Sequence, residues 1–306
     1  MDHFQLKNGI LHAEDIPLSK IAEEVGTPVY VYSRATLERH ARVFREGLKD
    51  AGKIHLAFAV KANPNLAVLR ILANQGYGAD VVSGGELQRA LAAGMKAEDI
   101  VFSGVGKSRE ELTLGLDKGI GQFNLESEEE GEMLRVNPDV DAGTHAKIST
   151  GKKENKFGVG IDVAPDIYAR LSRLEGLNLR GVAVHIGSQL QSLDPLEQCY
   201  ARMGALVAQL RGAGHAITHV DLGGGLGIPY RDSDSPARVT KGWDVTLMFE
   251  PGRVIAGNSG VMITKVIRIK PGVNSDFVIV DAAMNDLMRP AIYDAWHDFE
   301  AVEPSG

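Results

Sequence analysis

The chain has 306 residues, which at about 150 residues per domain fits two domains and also fits one (β/α) barrel of about 250 residues. Its 33 Lys and Arg against 40 Asp and Glu leave a formal net charge of −7, which argues against a nucleic-acid partner because phosphate neutralisation needs a basic surface. A single cysteine excludes an intrachain disulfide framework and a Cys-rich metal site. No apolar run approaches the roughly 18 residues of a membrane span, and the polar start MDHFQLKNG does not read as a signal peptide. These bounds predict a soluble, cytoplasmic protein without membrane, nucleic-acid or metal partners. The 35 glycines, about 11% against a usual 7%, are the first sign of a specialised site.

In chain order, the first β-rich run is PVYVYS (28–33). Eight short apolar runs follow: HLAFAVKAN (55–63), GADVVSG (78–84), DIVFSG (99–104), GQFNLES (121–127), LRVNP (134–138), LRGVAVHIG (179–187), THVDLGGG (218–225) and TLMFEPGR (246–253). They are nearly continuous in hydrophobicity and bounded by Gly, Asn or Asp, as strands buried on both faces of a parallel sheet are. Amphipathic segments lie between them. NLAVLRILANQG (65–76) places Leu66, Leu69, Ile71, Leu72 and Ala73 on one side and ends at Gly76. SGGELQRALAAG (83–94) opens on a serine cap with Glu86 close by. DPLEQCYARMGALVAQLRGAG (194–214) starts with Asp before Pro and ends in Gly. Eight strands alternating with helices predict a TIM-like (β/α)8 barrel with its site at the C-terminal strand ends; a doubly wound open sheet is the alternative. After Arg253 the runs GVMITKVIRIK (260–270) and DFVIVDAAM (276–284) alternate around a PGVNS turn, as antiparallel sheet does. The expected organisation is a barrel over 36–258 and a β domain built from 1–35 and 259–306.

Polar residues sit at the predicted strand ends. Lys61 follows the first strand; it either snorkels or is held in a pocket, where a lysine amine suits a Schiff base with an aldehyde cofactor. Asp80 ends the second strand, with Glu86 six residues later; singly, each reads as a cap or a surface charge. His185 and Ser188 follow the sixth strand, and a lone strand-end histidine is more often structural. Gly223, Gly224, Gly225 and Gly227 follow the seventh, where barrels keep phosphate sites; a tight turn is the alternative. Glu250 and Arg253 end the eighth, and a buried glutamate there suits pairing with a protonated ring nitrogen.

Several features carry no assignment. GVGKS (104–108) lacks the phosphate loop's first glycine, since position 101 is Val101. GGGLG has no acidic strand end about 20 residues on, as the dinucleotide fingerprint requires. Cys199 reads as a packing residue within a helix, and EEEGE (128–132) as a solvated helix start.

The ordered motifs FAVKAN, GADVVSGGE, FSGVGK, HIGSQ, DLGGGLGIPY, EPGR and RPAIYDAWH span about residues 55–297. Together they resemble the fold type III (group IV) pyridoxal-phosphate decarboxylases, the diaminopimelate decarboxylases in particular. The resemblance implies an alanine racemase-like barrel with a C-terminal β domain, and pyridoxal 5′-phosphate as cofactor. It implies decarboxylation of meso-2,6-diaminopimelate to L-lysine and CO2, a carboxy-lyase activity in lysine biosynthesis, by a homodimer. The alternatives are a cofactor-binding homologue with little or no turnover, or a related basic amino acid or carboxynorspermidine decarboxylase. By resemblance Lys61 is the Schiff-base lysine, His185 stacks on the cofactor ring and Glu250 partners its nitrogen. Ser188 and Gly223–Gly225 are phosphate ligands, and Asp80, Glu86 and Arg135 support the cofactor and lysine. Arg253, Arg289 and Tyr293 are substrate ligands. Against that family the chain reads as shortened where SEEEGEML (127–134) runs into strand five without turn residues, near SDSPARVT (233–240), and after Gly306, where a CESGD-type motif and a later tyrosine are expected.

Overall fold

In the computed structural model the described residues are 3–127, 133–137 (backbone only), 158–174, 176–188, 190, 194–225 and 243–304. The chain divides into two compact units, residues 40–257 and residues 1–39 together with 258–306.

Residues 40–257 carry eight strands that close on themselves. They are β1 (Ile54–Ala59), β2 (Gly78–Val81), β3 (Ile100–Phe102), β4 (Gln122–Leu125), β5 (Met133–Asn137), β6 (Gly181–Val184), β7 (His219–Asp221) and β8 (Thr246–Phe249). Every neighbouring pair is parallel, from β1–β2 round to β7–β8. The ring closes through Leu247↔Ile54, Met248↔His55 and Phe249↔Leu56. This is a (β/α)8 barrel, and the open-sheet alternative is excluded by the β8–β1 pairing. A short strand, Val159–Gly160, adds to the end of β5; the sequence reading lacked it, and two residues are too few to show periodicity. Of the two suspected internal junctions, residues 128–132 of SEEEGEML (127–134) and all of SDSPARVT (233–240) lie outside the described residues.

Closure buries both faces of the strands. All described positions of β2, β3, β4 and β6 are buried, which is why their runs are continuous rather than alternating. Helices form between strands for local reasons. Helix Leu66–Asn74 starts where the Asn65 side chain accepts from the Ala67 N–H, and helix Gly84–Ala92 where Ser83 accepts from the Glu86 N–H. Helix Asp194–Gly212 buries Leu196, Cys199, Met203, Leu206, Val207 and Leu210, a three-and-four spacing that lines one face. Cys199 is a packing residue, with burial pushing its thiol up to about 12. The GVGKS segment is a helix start: Ser108 and Glu111 form a reciprocal capping box for helix Arg109–Lys118.

The second unit is antiparallel. Strands Phe4–Lys7, Ile10–Ala13 and Ile16–Pro17 form one sheet. Asn8 and Gly9, at φ 53° and 80°, form the turn between the first two, a type I′ signal legible in the Asn-Gly pair and missed above. Val29–Tyr32 pairs with Gly260–Ile263, and Val266–Lys270 with Phe277–Val280. The run 260–270 is therefore two strands in two sheets, not one. Asp281 divides them by accepting from Thr264 Oγ1 at 2.6 Å and from the Lys265 N–H at 2.8 Å. Leu11, Ala13, Leu18 and Ile263 form the core, with Phe4, Ile21, Val29, Val31, Val261 and Val302 around it. Full burial of a side chain such as Leu18 (2% exposed) contributes about 1.5–3 kcal/mol. No helix among the described residues is long and apolar enough to cross a membrane.

Candidate active site at the barrel mouth

The C-terminal ends of the barrel strands gather most of the singled-out side chains. β1 ends at Ala59, and Lys61 lies in the 3-10 turn Val60–Ala62 that follows. Its Nζ stands 3.6 Å from Oδ2 of Asp80 at the end of β2. The lysine side chain is half exposed whereas Asp80 is 1% exposed. Neither Asp80 oxygen has a hydrogen-bond partner among the described residues. A buried carboxylate without donors is costly, so Asp80 is held in place by the charge of Lys61 and has capacity for a further donor. Glu86 caps its own helix by accepting from the Val82 N–H at 2.8 Å. Burial raises its pKa, and the Asp80 and Lys61 charges act on it in opposite senses.

The loops after β6 and β7 lie against each other. The Leu190 N–H donates to the Gly225 carbonyl at 2.9 Å. Gly223 and Gly225 have φ of +67° and +98°, a region that side-chain-bearing residues enter at a cost. A Cβ on Gly223 would collide with the Val184 carbonyl, one on Gly224 with the Glu250 carbonyl, and one on Gly225 with the Gly187 carbonyl. These contacts make glycine necessary here: the loop packs its backbone directly against neighbouring carbonyls and carries no side chain that would obstruct an anion at the strand end. His185 follows β6 directly. Its Nδ1 accepts from the Gly224 N–H at 3.2 Å, which leaves the ring proton on Nε2 and the imidazole neutral on that side. Ser188 is half-buried next to Gly187. Gly227 lies outside the described residues.

Glu250 follows β8 and is 7% exposed. Its Oε2 is 4.0 Å from His185 Nδ1, beyond hydrogen-bonding distance. Burial raises its pKa well above the ordinary carboxylate value, reinforced by Asp221 and Asp80 and opposed by Lys61. The EPGR turn packs onto the start of the lysine turn: the Pro251 carbonyl accepts from the Ala59 N–H at 3.1 Å, and Gly252 faces Ala59 and Ala62. Arg253 is half-buried at the start of the short helix Arg253–Ala256.

Below this rim runs a polar ladder that the sequence reading did not single out. Gln122 Nε2 donates to Asn124 Oδ1 at 2.6 Å. Asn124 Nδ2 donates to Asp221 Oδ2 at 2.9 Å and to Ser103 Oγ at 3.1 Å. Ser103 Oγ reaches Glu250 Oε1 at 3.4 Å. All five residues are buried. The signal was present as Gln122 and Asn124 at i and i+2 within an apolar run, which puts both on one face of a strand. That the face is the barrel interior follows only from closure.

Three further expected residues are placed only by the elements that carry them. Arg135 lies on β5 in register with Ala183, and its side chain is outside the description. Arg289 and Tyr293 lie on the short helix Arg289–Tyr293 of the other unit.

Residues 34–257 match the family described as pyridoxal-dependent decarboxylase, pyridoxal binding domain. The diaminopimelate decarboxylase of Zymomonas mobilis is 50% identical over 99% of this chain and 78% of its own length, and that of Pseudomonas fluorescens is 51% identical over 99% and 79%. The Zymomonas alignment runs over 331 positions against a chain of 306 residues, so some positions of that relative have no counterpart here. The crystal structure of the Helicobacter pylori diaminopimelate decarboxylase complexed with L-lysine superposes with a TM-score of 0.87 at 37% identity, covering 92% of this chain and 77% of that one. The chain belongs to the pyridoxal-dependent decarboxylase family, among the diaminopimelate decarboxylases.

Proposed function

We propose that the barrel mouth binds pyridoxal 5′-phosphate and that the chain decarboxylates meso-2,6-diaminopimelate to L-lysine and CO2. The observation that carries this reading is the pairing of Lys61 with a buried Asp80 that has no hydrogen-bond partner among the described residues, beside a buried Glu250 and a side-chain-free glycine cradle. These are the groups an aldehyde cofactor with a phosphate and a basic ring nitrogen needs. When bound, the cofactor supplies an electron sink for the electrons left as CO2 departs.

The roles of the chain's own residues follow from their positions. Lys61 would hold the cofactor covalently through its amine, and Asp80, 3.6 Å from that amine, would keep it at the end of β1. Glu86 adds a second carboxyl beside the pair. The Gly223–Gly225 backbone, with Ser188, would line the phosphate; the Gly223 and Gly224 N–H groups already donate to Asp221 and His185, so the Gly225 N–H and the Ser188 hydroxyl would be its donors there. His185, fixed through Nδ1, would pack on the ring, and Glu250 would pair with its nitrogen. Arg253 suits a substrate carboxylate because a guanidinium binds it through two parallel hydrogen bonds. Arg135 is assigned as a cofactor support, and Arg289 and Tyr293 as substrate ligands, on motif resemblance alone. A homodimer and a cytoplasmic location belong to the same proposal.

Two measurements test the reading together. Reconstitution with pyridoxal 5′-phosphate is expected to give the visible absorbance of a Schiff base, and Lys61→Ala is expected to lose it. CO2 release is expected from meso-diaminopimelate and not from ornithine or arginine. Binding without CO2 release from any of these amino acids would retain the cofactor site and reject the activity.

A further inference from the structure

The ladder beneath Glu250 ends in a second buried carboxyl that the roles above leave unused. Asp221 is 1% exposed at the end of β7; it is in register with Met248, two residues before Glu250, the Glu250 N–H donates to the Gly223 carbonyl at 2.9 Å, and the two carboxyls are side-chain hydrogen-bond partners. Two carboxylate anions have no proton with which to make such a bond, and like charges this close in a buried setting cannot both ionise readily. One proton therefore lies between them. The donors around the pair decide where it rests. Asp221 receives two good bonds, from Asn124 Nδ2 at 2.9 Å and from the Gly223 N–H at 2.9 Å. Glu250 has Ser103 Oγ at the longer distance of 3.4 Å. Bonds that favour the charged form concentrate on Asp221, so the proton belongs on Glu250 before any ligand arrives.

That placement is awkward for pairing with a protonated ring nitrogen, because a carboxylic acid has no charge to offer it. We propose that Asp221 resolves this by accepting the Glu250 proton: when a cationic ring nitrogen docks against Glu250, the Glu250 O–H bond breaks, an Asp221 O–H bond forms, and the hydrogen bond between them reverses direction. Glu250 becomes the carboxylate that pairs with the ring, and Asp221 becomes the neutral donor that supports it. The pair carries one negative charge before and after, and no proton is exchanged with solvent. Asp221 thus acts through Glu250 as a positioning residue. Among the described residues, the other titratable or charged groups near the pair are Lys61 and Asp80 at the ends of β1 and β2, His185 after β6, and Tyr200 on helix Asp194–Gly212. The proposal rests on reading the barrel mouth as a pyridoxal-phosphate site.

The test is infrared difference spectroscopy of the full chain with and without 4-deoxypyridoxine 5-phosphate, an aldehyde-free probe that cannot react with Lys61. The carbonyl stretch of one un-ionised carboxyl is expected in the probe-free protein and lost in Glu250→Gln. On probe binding it is expected to persist at a shifted position, and that shifted band is expected to be missing in Asp221→Asn. The wild-type spectra alone decide the matter if Asp221→Asn fails to fold. A probe-free protein without the band, a band lost outright on binding, or a band that does not shift would each overturn the proton transfer while leaving the cofactor site intact. Failure of the probe to bind wild-type protein at all would overturn the cofactor reading and the transfer with it.

Discussion

Gly225 offers the sharpest test of the phosphate cradle. Its φ of +98° is one that an alanine adopts only under strain, and a Cβ there would collide with the Gly187 carbonyl. The obstacle is backbone, so no side-chain rotation relieves it. Gly225→Ala must either turn its own backbone or push the β6 loop away, and both break the Leu190 N–H to Gly225 carbonyl bond of 2.9 Å. The conformational strain is about 1–2 kcal/mol and the lost hydrogen bond about 0.5–1.5 kcal/mol net. Cofactor binding must restore the native loop, so their sum, about 1.5–3.5 kcal/mol, corresponds to a loss of roughly 12- to 300-fold in cofactor affinity, at 1.4 kcal/mol per tenfold. The assay is an absorbance titration of the cofactor-free protein with pyridoxal 5′-phosphate, set beside thermal unfolding. Gly212→Ala is the control, because nothing lies within 4 Å of its Cβ and its φ is ordinary; it is expected to leave affinity unchanged. A Gly225→Ala protein that binds the cofactor as wild type does would refute the cradle.

Three further outcomes follow from the rest of the molecule. Ser108→Ala removes the capping box of helix Arg109–Lys118 and is expected to cost about 1 kcal/mol in denaturant unfolding without altering cofactor affinity, as a helix start rather than a phosphate loop requires. Tyr77→Phe removes the buried hydroxyl's 2.8 Å bond to the Ala41 carbonyl and is expected to cost about 0.5–1.5 kcal/mol, read as a lowering of Tm by a few degrees. Asp281→Asn weakens the junction between the two strands of run 260–270. Hydrogen bonds from Thr264 and Thr27 and from the Lys265 N–H hold Asp281 at about 2 against an ordinary 3.8. Its contribution is complete above about pH 4 and disappears as pH falls toward 2, so unfolding curves of variant and wild type should differ at neutral pH and converge in acid.

Much of the barrel was legible because its strands and helices declare themselves locally. A continuous apolar run of five to eight residues needs no partner to be recognised, and neither does a serine cap with a glutamate nearby. The motif order from FAVKAN to RPAIYDAWH pointed to the family, since each motif pairs an apolar strand or helix with a polar residue type that core packing alone would not place there. The boundary at β1 was less legible: the run 55–63 reads as one strand, yet it ends at Ala59 and turns at Val60–Ala62, where the Pro251 carbonyl from the far end of the barrel accepts the Ala59 N–H.

The amino-acid sequence by itself determined the alternation of strands and helices and the residue types at the strand ends, because periodicity, caps and turns act over a few residues; that the strands close into a barrel rather than an open sheet was decided by the β8–β1 pairing. Only the tertiary structure decided which side chains meet. β1 and β8, far apart in the chain, become neighbours when Leu247 pairs with Ile54, and that closure turns one face of each strand inward. It is closure that makes Gln122, Asn124, Ser103, Asp221 and Glu250 one buried ladder, while the pairing of β1 with β2 gives Lys61 a carboxylate partner in Asp80. Periodicity marks a face as buried, but it does not record which other face it will be buried against.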